Sequence, residues 1–132
     1  MTDLSVLVAG LAALRASGSP RLVAVGWATV DLERTLDDLG IADGGLIVDE
    51  PLLGARASRI DLGGTAVLVL EPTTEGRLAA ALARRGEGIC ALYLSPDGPG
   101  GRSTQVTALG LPGRLLPHDQ PWGPFVIEVE DR

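Results

Sequence analysis

Glu128 and Tyr93 are the two residues of this chain best suited to proton chemistry, and both stand in segments that alternate as β-strands, FVIEVE (125–130) and ICALYL (89–94). Alternation fixes which side each residue presents. In RLVAVGWATV (21–30) one side carries Val23, Val25 and Trp27, and the other only Ala24, Gly26 and Ala28. With that small side taken as the wall of a cavity, the inward sets elsewhere are Ala66/Leu68/Leu70, Ile89/Ala91/Tyr93 and Val126/Glu128/Glu130. The complementary sets Val23/Val25/Trp27, Cys90/Leu92/Leu94 and Phe125/Ile127/Val129 are apolar and are expected against helices. An apolar surface bearing one or two carboxylates and a phenol is the usual make-up of a ligand pocket. Desolvation there raises a carboxyl pKa and makes Glu128 a candidate general base, with Tyr93 donating to a developing enolate. Ala24, Gly26, Leu68, Ala91 and Glu130 are then the ligand-binding candidates. Plainer readings stand beside these: Glu128 as a rim residue on an edge strand, and Tyr93 as a packed ring with its hydroxyl in water.

Other reactive side chains have structural explanations. Alternation puts Cys90 on the helix-facing side, which favours a buried, inert thiol over a nucleophile. His118, between Pro117 and Asp119, reads as a loop histidine bonded to Asp119. Arg56 and Arg59 could meet a carboxylate or phosphate, but a solvated strand face explains them equally. The runs GGL, GGT and GPGG lack phosphate-loop spacing and read as turns.

The elements that must carry these residues follow from periodicity. Leu4, Leu7, Val8, Leu11 and Leu14 recur at helical spacing before Gly18-Ser19-Pro20, predicting an amphipathic N-terminal helix with its linker over residues 1–20. After the strand at 21–30, Asp31 is placed to cap a helix with Leu32, Leu36 and Leu39 on one stripe, and Gly40 to stop it. Strands follow at 45–50, 55–62 and 65–71, the last two joined by a Gly63-Gly64 hairpin. A second helix is expected over 75–85, capped by Thr74 and stopped by Gly86. Then come the strand at 89–94, a loop over 95–105, a turn or short helix through Val106–Leu109, a brief strand at 114–116 and the closing strand.

Composition bounds the rest. The 132 residues suit one domain over 21–132, with 45% hydrophobic and 21% charged residues, an ordinary balance for a folded chain. One Phe, one Tyr, one Met and two Trp leave the core to Leu, Val, Ile and Ala. All eleven basic residues are Arg, a bias read as a GC-rich bacterial genome. A net charge of −6 argues against nucleic acid and anionic membranes as partners. A single Cys, no basic leader and no long apolar run point to the cytoplasm.

Four stretches in order carry a family resemblance. Residues 24–33, AVGWATVDLE, resemble an opening motif HVGIAVPDLE; residues 65–72, TAVLVLEP, resemble EIELLEP; residues 82–92, LARRGEGICAL, resemble LEKRGEGLHHI; and residues 114–130 are similar to a closing FLHPKDTGGVLIELV. Together they resemble the vicinal-oxygen-chelate (glyoxalase/bleomycin-resistance) superfamily, closest to its methylmalonyl-CoA epimerase-like branch. The resemblance implies an α+β fold of paired βαβββ modules, here about 21–72 and 88–130, the second shortened and the N-terminal helix extra. It also implies a metal held by one ligand from the first and last strand of each module. Carried over, those ligands fall on Ala24, Leu68, Ala91 (with Cys90 beside it) and Glu128. Only the last has a donor atom, so neither metal nor other cofactor is expected.

Three functions remain open at this point. They are metal-free isomerase, epimerase or lyase chemistry on a small carbonyl compound or acyl thioester; non-catalytic sequestration of a small molecule; and a structural pseudoenzyme. A small-molecule partner and a homodimer are the expected associations.

Overall fold

Bulky and small residues alternate along Arg21–Ala28, and this segment is β1, from which the sheet is built outward. The computed structural model describes residues 21–41, 46–95, 105–117 and 124–130. The predicted N-terminal helix, His118, Asp119 and Trp122 lie outside them. After β1 come α1 (Leu32–Asp38), β2 (Ile47–Glu50), β3 (Ala55–Leu62), β4 (Thr65–Pro72), α2 (Arg77–Arg85), β5 (Gly88–Ser95), β6 (Gln105–Val106), β7 (Pro112–Leu116) and β8 (Phe125–Val129).

The local signals act much as the sequence predicts. The Asp31 carboxylate accepts the Arg34 N–H at 3.1 Å, and α1 buries Leu32 and Leu36. Gly63 and Gly64, at φ +58 and +80, make the hairpin turn that favours positive φ at both central residues. α2 starts later than expected, with Gly76 rather than Thr74 at its N-cap and no side-chain cap. The run Val106–Leu109 is not helical. It finishes β6 and enters a turn in which the Gly110 N–H donates to Thr107 O.

One mixed sheet runs β2-β3-β4-β1-β5-β8-β7-β6 and curls until it is nearly closed. β1 pairs parallel with β4, β5 pairs parallel with β8, and β1 and β5 join antiparallel at the centre. The two halves therefore repeat one plan. Ala24 lies across from Tyr93, and Gly26 across from Ala91, so the repeat sets Ala24 equivalent to Ala91 and Gly26 equivalent to Tyr93. The irregularities repeat too. The β1–β5 register skips Val23 on one strand and Cys90 on the other, at equivalent positions.

Two apolar clusters flank the sheet. Leu22, Val25, Val67 and Val69 pack with Leu32 and Leu36 on the α1 side. Ala24, Ala57, Leu68, Leu70, Ala91, Tyr93 and Ile127 belong to the inner cluster, to which α2 adds Leu78 and Ala81.

Candidate functional site

The inner face holds the residues whose alternation was predicted on β1 and β4, but the last strand is turned over. Phe125, Ile127 and Val129 are the buried set of β8, in the inner cluster, whereas Val126 and Glu128 are half-buried. Glu128 lies beside Leu94 and directly opposite Arg114, whose Nε donates to its Oε1 at 3.2 Å. Glu130 is exposed. Both expectations of inward glutamates are thus corrected. The physical reason is the two-residue period of a strand, where a one-residue offset exchanges every side chain between faces. Three apolar residues outweigh one carboxylate in choosing the buried face. Ile89 is corrected likewise: it is 46% exposed, because the bulge at Cys90 breaks the alternation of β5.

The repeat then identifies the fourth metal-ligand place from geometry. Leu68 sits beside Gly26 on β4, and Ile127 sits beside Tyr93 on β8, so the equivalent of Leu68 is Ile127. Ala24, Leu68, Ala91 and Ile127 are all 0% exposed. None carries a nitrogen, oxygen or sulfur side-chain atom, so these residues do not fit a metal ion. The small residues do not leave a hollow either. A Cβ on Gly26 would lie 2.8 Å from Leu70 Cδ1 and 2.9 Å from Ala91 Cβ. Leu70 and Ala91 leave no room for a side chain at Gly26, and Ala24 and Ala91 are buried in the cluster that also holds Leu53, Leu68, Tyr93 and Ile127.

One polar group stands among these side chains, and sequence reasoning missed it. Glu50, the last residue of β2, is fully buried. Its Oε1 accepts the Tyr93 hydroxyl at 2.6 Å and the Ala108 N–H at 3.1 Å, and its Oε2 accepts the Leu52 N–H at 3.4 Å. Tyr93 therefore has its hydroxyl in a buried hydrogen bond rather than in water. Burial pushes the Glu50 carboxyl above its ordinary value, against the three donors, which pull it down. Burial, then the neighbouring Glu50 charge, holds the Tyr93 phenol well above the usual range. Two signals in the sequence point to this pair. A buried tyrosine needs a hydrogen-bond acceptor, and Glu50 faces small residues, Ala55 across the ladder and Ala57 on the same strand.

Remaining candidates are structural in geometry. Cys90 is buried, as expected, and its thiol is pushed up to about 12, chiefly by burial; it lies in the cluster to which α2 contributes Leu78 and Ala81. Arg56 donates to Glu71 at 3.0 Å and to Glu33 at 2.6 Å, while Glu71 also accepts the Leu32 N–H. Asp31, Glu33 and Glu71 bring three carboxylates together on that side, of which Glu33 and Glu71 are paired with Arg56 and Asp31 caps α1. Arg59 reaches only Asp61, at 3.8 Å. Glu87, from the GEG motif, accepts the Thr29 hydroxyl, the Val30 N–H and Arg34, and so ties the start of β5 to the β1–α1 connection.

No family model and no curated protein matches this chain. Solved structures do match its fold. A hypothetical protein from Bacillus halodurans superposes with a TM-score of 0.63 at 19% identity, covering 87% of this chain and 96% of that one. Methylmalonyl-CoA epimerase from Mycobacterium tuberculosis gives 0.63 at 18% identity, covering 84% and 87%. A Streptomyces coelicolor methylmalonyl-CoA epimerase in complex with 2-nitronate-propionyl-CoA gives 0.63 at 20% identity, covering 84% and 96%. The chain has the glyoxalase-like, vicinal-oxygen-chelate type of fold, α+β with paired modules.

Proposed function

We propose that this chain is a non-catalytic domain of the glyoxalase-like fold, whose sheet interior is a folding core and whose work is done through its outer surface. The sealed set Ala24, Leu68, Ala91 and Ile127 carries this reading. Where metal-dependent relatives of this fold would need converging donor atoms, it offers only methyl and methylene groups. The two sheet edges support a role in protein contacts. β2 and its approach expose Leu46 and Ile47, and β6 exposes Val106, apolar side chains on strands that each pair on one side only among the described residues. A homodimer built on these edges is the simplest such contact.

The test is incubation with methylmalonyl-CoA in deuterated buffer, with and without cobalt or manganese, alongside thermal shifts with the metals and with acyl-CoAs and light scattering of the free protein. The expected result is no deuterium uptake above the buffer rate and no thermal shift, from a protein that scatters as a dimer. Metal-dependent uptake would overturn the reading.

A second reading rests on Glu50 and Tyr93. A carboxyl raised by burial beside a phenol in an apolar interior is a familiar setting for proton transfer. In that case a metal-free isomerase or lyase acting on a small carbonyl compound or acyl thioester would use Glu50 as its base, since Glu128 faces away. Deuterium uptake without metal that disappears in Glu50→Gln would favour this reading over the first.

A further inference from the structure

The two outermost strands, β2 and β6, occupy equivalent places in the repeat, and no ladder joins them among the described residues. Glu50 ends β2 and Thr107 directly follows β6, and the side chain of each holds the turn that comes next. Thr107 accepts the Leu109 N–H and donates to Leu111 O, staying within its own module. Glu50 accepts the Leu52 N–H in the same way, but its longer side chain reaches out of its module. The same carboxyl takes one hydrogen bond from β5 and one from the β6–β7 turn. We propose that Glu50 is a latch: one side chain holds the two open edges of the sheet together, and its release lets β6 and the β6–β7 turn move off while β7 stays on β8, uncovering the apolar interior beneath that turn.

Three features support the assignment. β6 is only two residues long and, among the described residues, pairs with β7 alone, whereas β7 is laddered to β8; β6 and the turn after it therefore have little to hold them to the far edge beyond this carboxyl and their apolar contacts. Such sparsely anchored elements open locally at far lower cost than the whole domain. The hydrogen bonds are made by one group, so losing it removes them together. The latch is also linked to protons. Closed, the Glu50 carboxyl titrates above its ordinary value, and opened to water it returns there. Between those two values each pH unit therefore favours the open form about tenfold. The titratable group that faces it is Tyr93, with Cys90 next to Tyr93. Neither carries charge across that range, because both are shifted up.

Native-state amide exchange in wild type, Glu50→Gln and Tyr93→Phe tests this. The rate at Ala108, taken as the ratio of wild type to Glu50→Gln, cancels the intrinsic pH dependence of exchange. The expected ratio climbs with pH above the ordinary carboxylate value and then levels. At one pH, Tyr93→Phe should speed exchange at Ala108 by about tenfold while amides of the β3–β4 hairpin keep their rates, the pattern of local opening. A flat ratio overturns the latch. So does equal acceleration at Ala108 and in the β3–β4 hairpin, which would make Glu50 a general stabiliser. If Glu50→Gln does not fold, Tyr93→Phe and the pH dependence of wild-type labelling at Cys90, normalised to the unfolded chain, decide the same question.

Discussion

Leu70 and Gly26 share one space: the Leu70 Cδ1 lies where a side chain at position 26 would begin. The floor of the sheet is thus set by complementary sizes, small at Ala24, Gly26 and Ala91 and large at Leu68, Leu70 and Ile127. Gly26→Ala should destabilise the domain by about 1–3 kcal/mol through overpacking. A chemical-denaturation midpoint unchanged from wild type would show that the interior has slack and that a cavity exists there.

The converse change tests the same packing. Leu68→Ala removes a fully buried side chain from the inner cluster and should cost about 2–5 kcal/mol. A loss near the lower end, together with binding of a small apolar probe by the variant alone, would mean that the space stays open instead of collapsing.

Opposing carboxyl shifts should give the stability profile two limbs. Glu50 has a raised folded value, so its contribution is present below the unfolded value and is lost as pH rises through the folded one. Glu71 is lowered, chiefly by the Arg56 hydrogen bond, and Glu87 chiefly by the Val30 N–H. Their contributions are present above the unfolded value and are lost as pH falls through the folded values. Urea titrations across roughly pH 3 to 8 should therefore show Glu50→Gln losing only the falling limb on the higher-pH side. Persistence of that limb in the variant would assign it to another group.

Cys90 should resist alkylation at neutral pH, because its thiol is buried and shifted up to about 12. Iodoacetamide labelling at the rate of an exposed thiol in the folded protein would contradict its burial. Labelling that is slow in the folded protein and speeds greatly on addition of denaturant is the expected result.

How far the sequence reveals this arrangement depends on how locally each feature is encoded. Asp31, Gly63-Gly64 and Gly86 act within a few residues of themselves, and the helix and hairpin they specify are legible from the chain alone. The inward sets of β1 and β4 were also legible, Ala24 and Ala28 on one and Ala66, Leu68 and Leu70 on the other, whereas Val23, expected beside Val25, packs against the inner cluster. Glu128 misled because a family motif outweighed the three apolar residues interleaved with it. The bulges at Val23 and Cys90 shift the alternation by one residue, and they arise from pairing between distant strands that no local pattern announces. Glu50 was hidden for the same reason, since its partners lie 43 and 58 residues further along the chain.

The sealed set has an evolutionary corollary. Installing a chelating centre in this interior would require donor atoms at 24, 68, 91 and 127 together, and any one installed first would sit buried without a partner or a metal. Each such intermediate costs about 1–3 kcal/mol or more, against a total stability of only about 5–15 kcal/mol. A chelating centre therefore cannot be installed at these four places in single steps: each donor is unfavourable until the other three and a metal are present.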